Sequence, residues 1–265
     1  MNAPRNHGHI GFPPPLLGDQ PFRLPILWLG DGLVALAKPA GVPMVSDQPR
    51  GESLERAINS QARDGKPELE KLGIASVSAV IPLDTECSGV ALFTTSPDAK
   101  ERWRNVYGSG GFQLTFSMIC RHAPESEEVG CDLPLAWAPS QELARISHRY
   151  GKKTETRFTL VERRGVISLW QATTTYHRRH QIRLHAHERG FGILGESVYG
   201  NTPHLFLSQC KRNYRGREEE KPLYEHLALH LENLTWSGDE SGTCSAPWPD
   251  RMAVLWKQVR RYISA

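Results

Sequence analysis

Apolar residues recur in two different patterns along the chain, which predicts both strands and helices. Two short apolar runs, 26–29 and 33–37, flank a Gly-Asp-Gly turn and predict a hairpin. Apolar positions three and four residues apart predict helices over 52–64 and 249–264. Ser96-Pro-Asp, with Ser96 as the N-cap, predicts a helix that runs to about Tyr107. Further apolar or alternating runs predict strands at 77–83, 90–95, 112–120, 154–162, 166–174, 180–187, 226–231 and 234–236.

The order of these elements indicates the fold class. Most strands follow one another as hairpins rather than as strand-helix-strand units, which favours an α+β fold with a mixed, largely antiparallel central sheet flanked by helices. Residues 1–24 contain five prolines and three glycines without a periodic apolar face, so we expect an extended N-terminal tail. Residues 25–265 are expected to form one domain, with 121–153 as a polar, irregular surface excursion.

Composition places the chain among ordinary globular proteins. Of its 265 residues, 39% are hydrophobic and 23% are charged. No apolar run approaches the roughly 18–20 residues of a membrane span, and residues 1–9 lack the apolar region of a secretory signal, so we expect a cytoplasmic protein without membrane contact. The five cysteines contain no C-x-x-C pair and are expected to be free thiols.

Charge is distributed unevenly along the chain, although the formal net charge is only +3. Residues 143–187 hold ten Lys and Arg side chains against two acidic ones, whereas residues 51–100 hold five basic and eight acidic side chains. Arginine dominates the basic segment, and its planar guanidinium binds phosphate through two parallel hydrogen bonds. This asymmetry predicts a face that binds nucleic acid.

Two short segments carry the candidate chemistry. Asp84 stands between an apolar run and the small pair Ser88-Gly89, where a strand end would hold a carboxylate rigidly. The segment 178–183, Arg-Arg-His-Gln-Ile-Arg, is interpreted as part of a strand with Arg179, Gln181 and Arg183 on one face. An arginine next to Asp84 would stabilise the carboxylate. Asp84 alone is also compatible with a turn or cap, and the arginines with a surface ladder.

Other chemistries fit the sequence less well. Four histidines, at 177, 180, 185 and 187, could suggest a metal-dependent hydrolase. Strand alternation places only the odd-numbered ones on one face, and the arginines between them repel a dication. We therefore expect no metal ion and no organic cofactor. A hydrolase triad of Asp84, Ser88 and His180 lacks the Gly-x-Ser-x-Gly elbow.

The order of motifs resembles that of the RluA family of pseudouridine synthases. The resemblance covers roughly residues 26–236, and its specificity comes from order and spacing together. The motifs that carry it are Lys38-Pro-Ala-Gly-Val, Leu83-Asp84 with Ser88-Gly89, Thr156-Arg-Phe158, Arg178-Arg-His-Gln-Ile-Arg-Leu-His185, Ile193-Leu-Gly195 with Tyr199-Gly200, and Leu229-His230.

The resemblance implies an isomerase that converts a uridine of ribosomal or transfer RNA into pseudouridine, in a pseudouridine-synthase-like catalytic domain at 25–265. It implies Asp84 as the catalytic carboxylate and Arg183 as its partner. Substrate contacts are expected from a ring that stacks on the base and from side chains that hold the RNA, namely Phe116, Arg178, Arg179, His180, Gln181, Lys152 and Lys153. RNA is the expected partner, and a monomer is favoured.

Departures from the family pattern keep an alternative open. The family's His-Arg before Leu-Asp is Ile81-Pro82 here, and Cys87 replaces the threonine before Ser-Gly. Phe116 stands where the family has an active-site tyrosine, and a phenyl ring cannot exchange a proton. Leu114 takes the place of the lysine in the same strand, and His177 that of the glycine before the arginine segment. A catalytically inactive RNA-binding protein on the same scaffold is therefore the alternative.

Overall fold

The computed structural model describes residues 8–48, 51–216, 219–237 and 241–264. The strands in these ranges are β1 His9–Phe12, β2 Phe22–Gly30, β3 Leu33–Lys38, β4 Ser78–Ala79, β5 Ser88–Thr94, β6 Phe112–Cys120, β7 Glu128–Cys131, β8 Leu135–Ala138, β9 Leu143–Ile146, β10 Thr156–Arg164, β11 Ile167–Thr174, β12 Leu229–Trp236 and β13 Gly242–Ser245. The α-helices are α1 Leu54–Arg63, α2 Pro67–Lys71, α3 Pro97–Gly108, α4 Gln181–Glu188, α5 Leu207–Cys210 and α6 Asp250–Tyr262.

The chain forms two compact units. The first contains the chain up to Leu114 together with Glu232–Pro247, and the second contains Thr115–Leu231 and the chain from Trp248. The domain expected over 25–265 therefore comprises two units. Two of the three boundaries fall inside β6 and β12, where the sequence shows no linker, and the third falls at Pro247, between β13 and α6.

The first unit is built on strands paired in the order β1-β2-β3-β5-β12, with β4 also on β5 and β13 on β12. The predicted hairpin is confirmed: Gly30 pairs with Leu33 around Asp31 and Gly32, whose φ angles of 55° and 73° give the turn that a two-residue hairpin requires. Strand β5 is buried along its whole length. Helix α1 begins at the cap Ser53, whose side chain accepts from the backbone N–H of Arg56.

The expectation of an extended tail over 1–24 is wrong for part of that range. Residues 9–12 form β1, which pairs antiparallel with β2, and the side chains of Ile10 and Phe12 are buried. Four residues among prolines are too short a run for their alternation to show in the sequence. Residues 1–7 of the expected tail lie outside the described residues.

The second unit contains strands in the order β6-β11-β10-β7 and a separate two-stranded sheet of β8 and β9. The apolar face of α6 packs with Ile119, Ile167 and Leu194 in one core cluster. The irregular excursion expected over 121–153 is wrong in part, because β7, β8 and β9 all lie within it. Antiparallel pairs dominate the described registers, and the expected α+β class is confirmed.

The arginine-rich segment differs most from its expectation. Residues 181–188 form helix α4, not a strand. Because every residue from Gln181 to Ala186 is buried, the sequence shows no amphipathic period, and a short buried helix looks like a short buried strand. The expected face of Arg179, Gln181 and Arg183 therefore does not exist. No helix in the described ranges is long and apolar enough to cross a bilayer.

Candidate functional site

Asp84 lies on a tight turn of the first unit. It stands in the irregular segment between β4 and β5, and only 6% of its surface is exposed. Its carbonyl accepts a hydrogen bond from the backbone N–H of Cys87 at 3.2 Å, which closes the turn. The strand expected to lead into Asp84 is only two residues long and ends at Ala79, so it does not reach Asp84.

Lys38, the last residue of β3, holds this turn from behind. Its ammonium donates to the carbonyl oxygens of Pro39 at 3.1 Å, Thr85 at 3.0 Å and Cys87 at 2.5 Å. The backbone N–H of Gly41 donates to the same Thr85 carbonyl at 2.8 Å. The Lys-Pro loop and the Asp84 turn are therefore joined at several points, and preorganisation of this kind fixes a catalytic carboxylate.

Burial sets the electrostatics of Lys38, which is 2% exposed. Desolvation lowers the pKa of Lys38 to about 8, while the charges of Cys87, Asp84 and Glu86 act in the opposite direction. A buried cation therefore contributes to the field at Asp84. Lys38 was not predicted to be a site residue, although the Lys-Pro motif in the sequence could have indicated it.

Arg183, in helix α4 of the second unit, pairs with Glu196. Its Nε and Nη2 donate to the two carboxylate oxygens at 2.7 and 2.8 Å, and both side chains are at least 96% buried. Glu196 Oε1 also accepts from the backbone N–H groups of Val198 and Tyr199. Burial alone would raise the pKa of Glu196, but the hydrogen bonds and charge of Arg183 lower it below the usual range.

This pair changes the expected role of Arg183. The sequence predicted Asp84 as its partner and missed Glu196, for which no sequence signal was recognised. The bidentate geometry uses one edge of the guanidinium, and Nη1 lies outside that edge. Asp84 belongs to the first unit and Arg183 to the second, and their pairing stays a prediction.

A cluster of cations and aromatic rings surrounds the start of α4. The guanidinium of Arg179 lies over the ring of Trp137 at 4.9 Å, and Trp137 meets His180 edge-on at 5.5 Å. His180 Nδ1 is 2.8 Å from the hydroxyl of Tyr199, and the same hydroxyl accepts from the backbone N–H of Ala144. The structure thus brings the expected Arg179 and His180 together with Trp137 and Tyr199, neither of which was predicted to be a site residue.

Gln181 forms hydrogen bonds inside the second unit, and its expected contact with substrate stays a prediction. It is fully buried, and its side-chain oxygen accepts from the backbone N–H of Arg178 at 2.9 Å. Its side-chain nitrogen donates to the Glu155 carbonyl and to the hydroxyls of Thr156 and Thr174. These hydrogen bonds join the start of α4 to β10 and β11 within the second unit.

Arg178 differs from Gln181 in its exposure. Its side chain is half-buried, with the guanidinium over the ring of Tyr176 at 4.8 Å. Its buried Nε has no hydrogen-bond partner among the described residues. Its contact with RNA stays a prediction.

Lys152 and Lys153 are exposed in the loop that follows β9. The backbone of Lys152 pairs with that of Leu135 at 2.9 and 3.0 Å, which ties the loop to β8. Lys153 lines a cleft of about 690 Å³ together with His148, Thr154 and Tyr176. Both lysines are therefore presented to solvent by a fixed backbone.

Phe116, in β6, is fully buried and lies against the ring of His177. The two ring centroids are 5.3 Å apart, with an angle of 34° between the ring planes. His177 occupies the loop between β11 and α4 and is 1% exposed. The two positions at which the sequence departs from the family's tyrosine and glycine are thus in contact.

Comparison with known proteins decides the family. The family described as RNA pseudouridylate synthase matches residues 32–188, which is more than half of the chain. The chain belongs to this family. The resemblance to RluA-type enzymes is confirmed, and the expected enzyme class, an isomerase, is that of the family. The matched range contains Lys38, Asp84, Phe116, His177 and Arg183.

Several relatives of the pseudouridylate synthase family are similar over much of the chain. A protein of Chlorobaculum parvum named an uncharacterized RNA pseudouridine synthase is 26% identical over 98% of this chain and 82% of its own length. Ribosomal large subunit pseudouridine synthase D of Zymomonas mobilis is 25% identical over 91% of this chain and 74% of its own. Synthase C of Escherichia coli is 27% identical over 66% of this chain, which spans 53% of that relative.

Solved structures of the same family share the fold. Human RNA Pseudouridylate Synthase Domain Containing 4 aligns with a TM-score of 0.65 and 16% identity over 89% of this chain and 92% of its own. Human RNA Pseudouridylate Synthase Domain Containing 1 aligns with a TM-score of 0.61 and 15% identity over 91% of this chain and 88% of its own.

Proposed function

We propose that this protein isomerises a specific uridine of structured RNA to pseudouridine, with Asp84 as the catalytic carboxylate. Ribosomal RNA is the favoured substrate, because relatives named as ribosomal large subunit synthases match most of this chain. Transfer RNA is the second substrate class to test. We propose that the enzyme acts on this RNA in the cytoplasm.

The buried turn around Asp84 is the observation that carries the proposal. The carboxylate of Asp84 is only 6% exposed, and its turn is held by hydrogen bonds from Lys38 to the carbonyls of Thr85 and Cys87. Burying a charged group is costly, so its presence in a fixed turn favours a functional role. Asp84 acts at the ribose of a uridine flipped out of its stack, either by attack on C1′ or by proton removal at C2′. The N-glycosidic bond breaks, the uracil turns in place, and C5 bonds to C1′.

The second unit supplies the remaining contacts. Arg183, oriented by Glu196, is proposed to pair with Asp84, and Phe116 to stack on the base. We propose that phosphates are held by Arg178, Arg179, Lys152 and Lys153. His180 and Gln181 are also proposed to contact the RNA. Phosphate contacts of this kind give affinity with little sequence information. No metal or organic cofactor takes part.

Asp84→Asn tests the catalytic assignment. RNA transcripts labelled with tritium at C5 of uridine release the label to water when pseudouridine forms, and we expect no release from this variant while RNA binding is retained. Glu86→Gln is the matched control, since it removes a charge from the same turn and should remain active. Turnover by a clean Asp84→Asn preparation would remove Asp84 from its role, and a wild type inactive on ribosomal and transfer RNA would contradict the function.

A further inference from the structure

We propose that His177 is a second catalytic residue, which removes the proton from C5 of the base after C5 has bonded to C1′. The inference rests on the proposed function and names the group that completes its chemistry. It follows from the contact between His177 and Phe116, the ring proposed to stack on the base, and from the proton transfer that the isomerisation requires.

The reaction requires a proton acceptor near the base. When the N1–C1′ bond breaks and the C5–C1′ bond forms, C5 still carries its hydrogen. That hydrogen must leave as a proton, its bonding electrons restore the C5–C6 double bond, and N1 gains a proton. The overall change is an isomerisation, so no oxidant, reductant or other co-reactant is consumed. The only requirement is a group that accepts a proton at C5 and returns one to N1, directly or through water.

His177 fits this requirement better than its neighbours. Phe116 cannot accept a proton, and Asp84 is assigned to the ribose. An imidazole accepts and donates protons near neutral pH, which makes histidine the side chain most often used in such transfers. The centroid of the His177 ring lies 5.3 Å from that of Phe116, so the imidazole packs directly against the ring that is proposed to stack on the base.

The two departures from the family pattern are explained together by this role. The family's tyrosine is replaced by Phe116, which removes a hydroxyl, and the family's glycine by His177, which adds an imidazole against the same ring. A large polar side chain that is 1% exposed must satisfy its nitrogens inside the protein, which makes it an expensive choice for filling space. We infer that the proton acceptor has moved from position 116 to position 177.

Single-turnover kinetics with C5-labelled RNA test the proposal. In His177→Asn, which removes the imidazole but keeps a smaller polar side chain, we expect release of tritium from C5 to slow by roughly 100-fold. RNA affinity and thermal unfolding should stay close to wild type. Substrate carrying deuterium at C5 should react more slowly than ordinary substrate in this variant, because proton removal becomes rate-limiting. The exposed His187→Asn is the control for loss of an imidazole and should match wild type.

A double variant separates catalysis from packing. Phe116→Tyr with His177→Gly restores the family's arrangement of hydroxyl and glycine, and we expect it to recover most of the rate lost in His177→Gly. It also keeps the proposal testable if His177→Asn does not fold. A wild-type rate in His177→Asn, or slow variants with neither an isotope effect nor recovery, would overturn the role of His177 alone. An inactive wild type would instead overturn the proposed function and this inference with it.

Discussion

At the scale of single residues, the site depends on buried charges that are each held by several partners. Lys38 contacts three carbonyl oxygens, and Glu196 accepts from Arg183 and from two backbone N–H groups. Burying an ion pair costs desolvation free energy, which the attraction between the two charges offsets. Removing one partner leaves the other charge buried without compensation. Removing one partner of such a group is therefore expected to lower the free energy of unfolding.

Glu196→Gln should destabilise the protein by roughly 3 kcal/mol at neutral pH, because Arg183 loses its buried counter-charge. Glu162→Gln is the matched control: Glu162 also contacts two arginines, Arg164 and Arg260, but near the surface, where an ion pair contributes less than about 1 kcal/mol. Urea unfolding of both variants measures the difference. Equal losses would contradict the importance of burial.

Glu196→Gln should also change how the stability of the protein depends on pH. The pKa of Glu196 is lower in the folded protein than the ordinary value of 4.5. The unfolded chain therefore binds a proton more readily, and the stability from Glu196 is present above pH 4.5 and lost as the pH falls through the folded pKa. Glu196→Gln should lack this part of the acid-induced loss, as measured by thermal unfolding between neutral and acidic pH. An unchanged acid dependence would show that other carboxylates dominate it.

At the scale of elements, helix α4 holds Arg183, the residue proposed to pair with Asp84. It begins at His180, whose φ of 57° is left-handed, and it ends with a Schellman motif. The backbone N–H of Phe191 donates to Ala186 and that of Gly190 to His187, while Gly190 has a φ of 81°. Left-handed backbone at both ends limits the helix to eight residues and sets the direction of Arg183.

Gly190→Ala tests this helix end. A side chain at Gly190 meets no atom within 4 Å, so the only expected cost is the left-handed backbone, roughly 1 kcal/mol. Gly130→Ala in β7 is the matched control, because that position is equally open and has no positive φ. Thermal unfolding should separate the two variants. A Gly190→Ala variant as stable as Gly130→Ala would contradict the role of the left-handed cap.

At the scale of the whole molecule, charge follows the division into units. The acidic stretch 51–100 belongs to the first unit, and the basic stretch 143–187 belongs to the second. Several of its basic side chains are exposed, among them Arg145, Arg149, Lys152, Lys153 and Arg157. Positive charge concentrated on one unit suits contacts to RNA phosphates.

Lys152→Gln with Lys153→Gln should weaken RNA binding by a similar factor for different RNA sequences and lower the slope of log affinity against log salt by about 2. Lys71→Gln with Lys100→Gln is the control, since it removes the same charge from exposed positions of the first unit. Binding titrations at several salt concentrations measure the slope. An equal change in both double variants would show that net charge, rather than the basic stretch, controls binding.

The sequence determined much of this protein by itself. The Asp-Gly turn of the first hairpin, the Ser96 cap of α3 and the apolar stripe of α6 are local signals, and each element formed as expected. The motif order around Lys38, Asp84 and Arg183 was sufficient to indicate the family, because spacing along the chain is preserved when side chains diverge. These features depend on neighbours in sequence, which the chain itself displays.

Only the tertiary structure decided the remainder. A fully buried segment such as 181–186 has no polar face, so its sequence does not distinguish helix from strand. The tertiary structure decides which segments meet in space. It pairs Glu196 with Arg183, places His177 against Phe116 and gives Gln181 its hydrogen-bond partners. A buried charged or polar group needs a partner, and that partner often comes from another segment of the chain. A local sequence pattern does not indicate which residue the partner is.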